Sequence, residues 1–390
     1  MKKLQNILFF VSTILVILSS GSVIGLKYGG VILLPTALLV NIFLIVLKGK
    51  IRLVDILLST PLLALFIIHF VVFGNPSDSV FFIKFIFRCI CAILWLSVYK
   101  LYDRDIIKDI YLVLKLFCLH AIVSYIVGIN LHIPSLSLFK TEMLTTYSWH
   151  NIFFYQRREL YMGIELLRNQ GLFWEAGVLG FFSIIFLYLS LLMYDKKKDS
   201  VIAAVVIVST LSTTCFALML VIIAYYFFTK RKLNRKVIVG ALIILPFLVS
   251  LTYDNISDKF TDSNYSKNAR LYDLNVGLMV FVNNPLGISF SSERYFEEQN
   301  DIFLKSYPDI EARTNSNSVI MLLYVFGIIA FIVFISIYFQ NIVEKKNLFF
   351  VLIIILNMSS PLIFSVFVLL FIFTGFINLL GKFRFNNHLN

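Results

Sequence analysis

The chain alternates long apolar runs with short charged joints. Runs at about 4–20, 30–47, 53–73, 80–99 and 110–130 each come close to the ~20 residues that a helix needs to cross a bilayer core. Barrel strands would alternate polar and apolar residues, which these runs do not. An open sheet would leave backbone groups unpaired in lipid. Lys2 and Lys3 ahead of the first run resemble the start of a secretion signal. So many runs follow, however, that an uncleaved first helix is expected.

The joints predict a topology. Lys48-Gly49-Lys50-Ile51-Arg52 and the joint holding Lys100, Arg104 and Lys108 are basic, whereas Gly74-Asn75-Pro76-Ser77-Asp78-Ser79 has no cation. Lys and Arg concentrate in cytoplasmic loops, so the amino terminus is expected inside and the segment after residue 130 outside. The run 171–193 ends at Asp195-Lys196-Lys197-Lys198, and the run 201–228 ends at Lys230-Arg231-Lys232. One helix cannot begin and end on the same face. The block 201–228 is therefore expected to turn round at Ser209-Thr210-Leu211-Ser212-Thr213-Thr214 as two short helices. The block 348–380, flanked by Lys345-Lys346 and by Lys382 and Arg384, is expected to turn near Asn357-Met358-Ser359-Ser360-Pro361. With crossings at 237–252 and 318–340, about twelve spans result, both termini lying in the cytoplasm. The expected fold is an all-α polytopic membrane protein with a single integral membrane domain over residues 1–390. Broken, hydroxyl-rich backbone at membrane depth is tolerated where it lines protein or a cavity, so the turn at 209–214 is a first pointer to a site.

Two long outer segments remain, at about 131–170 and 253–317. Loops of that length are usually functional. The second holds an expected helix from Ala269 to Asn283, with Leu271, Leu274, Leu278 and Phe281/Val282 on one stripe, ended by Asn283-Asn284-Pro285-Leu286-Gly287. It is too short to span a bilayer and reads as an interfacial helix.

Composition agrees with the pattern. Hydrophobic residues make up 59% of the chain, charged residues only 14%, and mean hydropathy is +0.88. A soluble fold could not bury that much apolar surface. The net charge of +12 could suggest nucleic acid. Most of the cations fall in short joints between apolar runs, so the charge is read as topology, with no nucleic-acid partner. Cys89, Cys91, Cys118 and Cys215 all lie inside apolar runs and read as small buried hydrophobes. The outer loops show neither zinc-ligand spacing nor a phosphate-cradling Gly-rich loop nor an Asp-x-Asp pair, so no metal or cofactor is expected.

Candidate chemistry gathers where polar segments meet the membrane. Arg168 lies just outside the sixth run and Glu175 just within it. On a helix their spacing would place both on one face, about two turns apart. A Glu at that depth is costly unless it faces a cavity or a cation. Arg168, Arg270 and Arg313 all project from outer segments, and guanidiniums suit bidentate binding of phosphate oxygens. Lys84 and Arg88, four apart in the outer half of the fourth run, share a face and are candidates for drawing an anionic lipid inward. His69 and His120 lie within spans and read as satisfied buried histidines.

Four segments together resemble the O-antigen polymerase and O-antigen ligase superfamily of bacterial membrane glycosyltransferases. Arg168-x-x-Gly171-x-Phe173-x-Glu175 is similar to that family's Arg-x-x-Gly-x-Phe-x-Glu-Pro pattern, with Ala176 in place of Pro. Leu211-Ser212-Thr213-Thr214 resembles its Ser/Thr-rich helix break. Ala269-Arg270 followed by Asn284-Pro285-Leu286-Gly287 resembles its loop helix with a functional Arg, and Asn317 with Gly327 resembles its His-Asn…Gly entry to the next span. Ser316 stands where ligases typically carry a His implicated in catalysis, which counts against a lipid A-core ligase and leaves the base open.

The resemblance implies a GT-C-like membrane fold and an inverting, metal-independent glycosyl transfer on the outer face of the inner membrane. An undecaprenyl-diphosphate-linked oligosaccharide would give up its chain to a hydroxyl of a second lipid-linked repeat unit, with membrane lipid as surroundings and a chain-length regulator protein as a candidate partner. Arg168 and Arg270 would stabilise the leaving diphosphate, with Arg313 a third cation. Glu175 would act either as general base or as an orienter of an Arg, and Asn317 would hold sugar hydroxyls. A lipid-linked oligosaccharide flippase, the ligase itself and a sugar-modifying acyltransferase are the competing readings. Transporters usually keep outer loops short and place ionisable residues near the midplane, and here the polar matter sits in two outer loops.

Overall fold

The computed structural model describes residues 2–130, 168–230, 265–302 and 315–386, with five short strands between 137 and 166. The expected crossing at 237–252 and the candidate Arg313 lie outside the described residues. The chain is a mostly helical membrane protein. Among the described residues seven helices are long and apolar enough to cross a membrane, and three shorter apolar helices accompany them. It divides into two compact units, one formed by Met1–Ile110 with Ala269–Asn390 and the other by Tyr111–Asn268.

The first unit opens with α1 (Lys2–Gly21), α2 (Val23–Tyr28), α3 (Leu34–Lys48), α4 (Leu53–Phe73) and α5 (Ser79–Leu101), and α6 (Ile106–Asn130) begins in it. A π turn at Gly29–Leu33 joins α2 to α3 in one apolar stretch, Val23–Lys48, so this span starts earlier than the expected 30–47. The bounds of α4 coincide with the expected run. Asp55, Ser59, Leu62, Phe66 and His69 form its buried stripe, while Val71 and Val72 are 76% and 63% exposed. Polar side chains inside and bare aliphatic ones outside is the ordering that lipid, not water, selects. At the far end of these helices the basic joints are anchored. Asp55 takes Arg52 and Lys100 at 2.7 Å each, and Arg104 grips Asp109 with Nε and Nη2 at 2.6 and 2.8 Å. Both carboxylates stand in the first turn of a helix, where the backbone dipole favours an anion.

The second unit carries the remainder of α6 and then a sheet. Strands β1 (Ser137–Lys140), β2 (Thr145–Trp149) and β3 (Phe153–Tyr155) pair antiparallel in chain order, and β4 (Glu159–Tyr161) pairs with β5 (Ile164–Leu166). The all-α expectation is corrected here. The segment is rich in Thr, Tyr, Phe, Trp and Ile, which favour a pleated, half-covered surface over a helix. Then come α7 (Ala176–Tyr188), α8 (Lys197–Ser209) and α9 (Thr213–Lys230). Nearly every residue of α7 is buried, making it the centre of this unit. The break expected within 209–214 is present, at Thr210-Leu211-Ser212.

The chain returns to the first unit within α10 (Tyr265–Asn283), followed by α11 (Ser292–Ile302), α12 (Ser318–Phe326), α13 (Ala330–Phe339), α14 (Lys346–Ser359) and α15 (Val366–Asn386). The turn expected near 357–361 separates α14 from α15, and Ser318 Oγ ties it down by donating to the carbonyls of Asn357 and Ser360 at 2.7 and 3.0 Å. The first half of α15 is wholly buried, and Gly375 lets it cross α13 with the Ser336 carbonyl where a Cβ would otherwise sit.

Candidate functional site

In the second unit the segment 168–175 is anchored to the helix break. Thr210 caps the carboxyl end of α8, and Arg168 Nε donates to its carbonyl at 3.1 Å. A cation is favourable at that helix end. The next residue fastens the strand of chain on both sides. Asn169 N–H donates to the Ser209 carbonyl at 3.0 Å, and its Nδ2 donates to Ser209 Oγ at 2.9 Å and to the Ala121 carbonyl at 3.1 Å. Its Oδ1 accepts the Gly171 N–H at 3.1 Å. The buried amide thus has partners for both ends, which is what makes its burial tolerable. Across the break, Leu211 is held at φ +51°, a left-handed conformation that costs a bulky residue about 1 kcal/mol or more.

Gly171 explains why this segment is not helical. At φ +54° it reverses the chain, and a Cβ there would come within 3.1 Å of the Ala121 Cβ. The turn delivers Phe173 into the core, where its ring stacks on Phe182 at 4.7 Å. Helix α7 starts only at Ala176, and Glu175 is its extended N-cap residue at φ −149°, ψ 148°, its carboxylate making no cap bond. The expectation that Arg168 and Glu175 share a helix face is therefore corrected: left-handed Gly171 and the buried Phe173 postpone the helix until after Glu175. Close packing behind this segment is set by Gly180, whose absent Cβ leaves room for the Cys215 thiol.

In the first unit the loop helix α10 is seated on α12. Its buried positions are Tyr272, Asp273, Val276, Gly277 and Val280, while Leu271, Leu278 and Val282 are exposed. Leu271, Leu278 and Val282 of the expected stripe thus lie on the side away from the packed face. Size decides this, because at Gly277 a Cβ would lie 2.2 Å from Ile320 Cγ2 and 2.8 Å from Asn315 Nδ2. Only the small-residue face can approach α12 that closely, which leaves the leucines outward, as an interfacial helix requires. Arg270, in this unit's first turn of α10, is exposed.

The turn after α10 docks backbone to backbone. Ile288 and Ser289 N–H groups donate to the carbonyls of Tyr324 and Val325 at 2.8 and 2.9 Å, and Ile328 N–H returns a bond to Pro285 at 2.9 Å. Gly287 at φ +87° and Gly327 at φ +55° face each other there. A Cβ on the former would lie 2.5 Å from the Val325 oxygen, and one on the latter 2.3 Å from the Pro285 oxygen. His69 supports the turn, its Nε2 lying 2.8 Å from the Leu286 carbonyl oxygen.

The remaining expected site residues are distributed as follows. Asn317 is the N-cap of α12, its Oδ1 accepting the N–H groups of Val319 and Ile320 at 3.2 Å, so this oxygen serves the helix. Lys84 is exposed on α5, with its ammonium 5.8 Å from the Phe81 ring centre, and Arg88 is half-buried one turn later. Sequence reasoning passed over Asp273. It is 0% exposed, and it accepts from Ser316 N–H at 3.0 Å and from the Ser316 hydroxyl through the same Oδ2. Its position one turn after Arg270 was the available signal. Asn169 was also passed over, although it lies within the motif.

The four motif segments thus pair off by direct contact, two within each unit. Residues 200–335 match the family model described as O-Antigen ligase, a stretch that takes in the α8–α9 break, the loop helix, its turn and the Asn317…Gly327 region. The match supports the resemblance to the O-antigen polymerase and ligase superfamily. No curated protein and no solved structure matches the chain.

Proposed function

We propose that this chain, whose residues 200–335 carry the O-antigen polymerase and ligase superfamily's matched region, is a polysaccharide polymerase. It transfers an undecaprenyl-diphosphate-linked glycan onto a second lipid-linked repeat unit, on the outer face of the inner membrane. The observation that supports the class is the seating of the matched loop helix, which packs Gly277 against Ile320, leaves Arg270 exposed and is followed by a backbone-to-backbone dock. Ser316 in place of the ligase histidine favours polymerisation over ligation.

The chemistry follows from charge. When the anomeric carbon parts from the lipid diphosphate, negative charge grows on the leaving oxygen. Fixed cations stabilise that charge with little reorganisation, and each is worth about 2.7–4 kcal/mol at the transition state in comparable sites. Arg168, held against the Thr210 carbonyl, and Arg270 are the cations assigned to this role. Attack by a hydroxyl from the face opposite the leaving group inverts the anomeric centre, and no metal is required when guanidiniums carry the diphosphate.

Deleting the protein from its host separates the readings. Polymerase loss leaves lipid-linked single repeats on the outer face, whereas a block in translocation would identify a flippase instead. Orientation has its own check: a reporter fused near residue 215 is expected outside or membrane-protected, and one near residue 232 in the cytoplasm. Cytoplasmic signals from both would remove the proposed hairpin.

A further inference from the structure

Helix α5 neutralises its cation at one end and leaves two unpaired toward the other. Lys100 is held by Asp55 at 2.7 Å, and in the joint that follows Arg104 takes Asp109. Lys84 and Arg88 have no such counterpart. Among the described residues neither makes an ion pair or a side-chain hydrogen bond, and Lys84 has only the Phe81 ring, its centre 5.8 Å from the ammonium. Like charges four residues apart on a helix repel. Arg88 also stands nine residues inside the helix, about 13 Å along its axis, where a guanidinium is costly without an anion.

Helical phase sets the pair between two flanks of α5. On one side lie Val80, Ile83 and Ile90, 56%, 64% and 39% exposed, a bare aliphatic surface suited to lipid. On the other, Phe85 is buried, and its ring lies 5.4 Å from those of both Phe290 and Phe364, which belong to the turn after α10 and the turn before α15. Along the stripe itself Phe81 and Lys84 are exposed, Arg88 is half-buried, and Cys91, Trp95 and Tyr99 are closed over. The stripe is thus accessible from the Ser79 end down to Arg88 and shut one turn beyond it. An arginine that only snorkels belongs on the lipid flank with Ile83 and Ile90. Arg88 is set off from that flank, on the border with the packed aromatic rings.

A phosphate fits this pair. The guanidinium offers a fork of donors matched to phosphate oxygens, and the ammonium one turn away adds a point charge to the same group. Because the neighbouring flank faces lipid, the phosphate would arrive on a lipid. We propose that Lys84 and Arg88 form a binding site for the phosphate headgroup of a membrane lipid, beside the contact of Phe85 with Phe290 and Phe364. The site does not depend on the glycosyl-transfer reading. It recognises a lipid-borne phosphate, on a glycerophospholipid or on a polyprenyl diphosphate.

The test uses the purified full-length protein in a maltoside detergent, which carries no phosphate. Phosphatidylglycerol, undecaprenyl diphosphate and inorganic diphosphate are added separately, and affinity is read from the rise in melting temperature and from the lipid retained in native mass spectrometry. Arg88→Gln is expected to weaken binding of one or both phosphate lipids by about tenfold or more, and Lys84→Gln by about fivefold. Lys108→Gln, which removes an exposed charge from the joint at the far end of these helices, is expected to change neither. Without lipid, Arg88→Gln should melt at or above the wild-type temperature, because it severs no bond within the protein and relieves the repulsion from Lys84. A loss confined to phosphatidylglycerol assigns the site to bulk phospholipid, a loss confined to undecaprenyl diphosphate assigns it to the polyprenyl carrier, and a loss of both marks a shared site. All three uphold a lipid phosphate. Wild-type affinity for both lipids in Arg88→Gln would overturn the site, as would an equal loss in Lys108→Gln or inorganic diphosphate binding as tightly as either lipid. A marked drop in the lipid-free melt of Arg88→Gln would make the arginine structural and overturn it too.

Discussion

The 168–175 segment of one unit and the loop helix of the other solve the same problem differently. Each carries an arginine that the proposed glycosyl transfer assigns to the leaving diphosphate. The first does so through side chains: Arg168 Nε on the Thr210 carbonyl, and Asn169 bonded to Ser209, Ala121 and Gly171. The second does so through backbone, with Gly287 and Gly327 meeting where no Cβ fits and Arg270 left exposed. An arginine that also caps a helix has a structural duty beside the chemical one proposed for it. An arginine carried on a docked helix is separable from the fold. The two sites should therefore respond differently to the same substitutions.

Glycine replacement gives the largest contrast. Gly327→Ala and Gly287→Ala place a Cβ 2.3–2.5 Å from backbone atoms, at positive φ. Each should cost about 4 kcal/mol or more, seen as loss of folded protein or a collapsed melt in detergent. Gly171→Ala meets only a methyl group at 3.1 Å, again at positive φ, and should cost about 1–2 kcal/mol. Equal tolerance at 171 and 327 would contradict the backbone dock.

Removing the cations comes next. Arg168→Ala and Arg270→Ala should each reduce polymer formation by about 10²–10³-fold. A normal polymer ladder from both would take them out of the mechanism. Asn169→Ala strands the Gly171 N–H, a buried group, and removes the ties to Ser209 Oγ and the Ala121 carbonyl; it should lower stability by about 1–3 kcal/mol, with a secondary loss of activity as Arg168 shifts. The smallest effect is the most discriminating for the comparison. Arg168→Ala should lower the melting temperature through the lost helix-end contact, by about 1 kcal/mol, whereas Arg270→Ala should leave it unchanged. A melting shift for Arg270→Ala equal to that of Arg168→Ala would show that α10 is not an independent carrier.

Much of the architecture was legible because lipid imposes a coarse rule. The bounds of α4 follow from the length of an apolar run, and both helix breaks, at Thr210–Ser212 and after Ser359, follow from runs with cations at both ends, neither of which can be a single span. The misses arise where short-range geometry overrides composition. Nothing in a spacing of seven reveals that Gly171 turns left-handed and cancels the helical phase between Arg168 and Glu175. The leucine stripe of α10 marked an interfacial helix but did not reveal its packed face, which Gly277 fixes, because close approach depends on the smallest residue rather than the most apolar. The strands between 137 and 166 were hidden by reading the segment as a loop on polarity, when its β-branched and aromatic content carried the signal. Asp273 and Asn169 matter through their partners at Ser316 and Ser209, distant in sequence, which no local pattern displays.

The most direct measurement is polymer formation by the purified protein in lipid, supplied with undecaprenyl-diphosphate-linked repeat units in the presence of a strong chelator, for wild type and Arg270→Ala side by side with their melting curves. A ladder from wild type that survives chelation and disappears in an equally stable Arg270→Ala is the predicted result. A ladder lost on chelation, or one undiminished in Arg270→Ala, would contradict a transfer in which a guanidinium, rather than a metal, carries the leaving diphosphate.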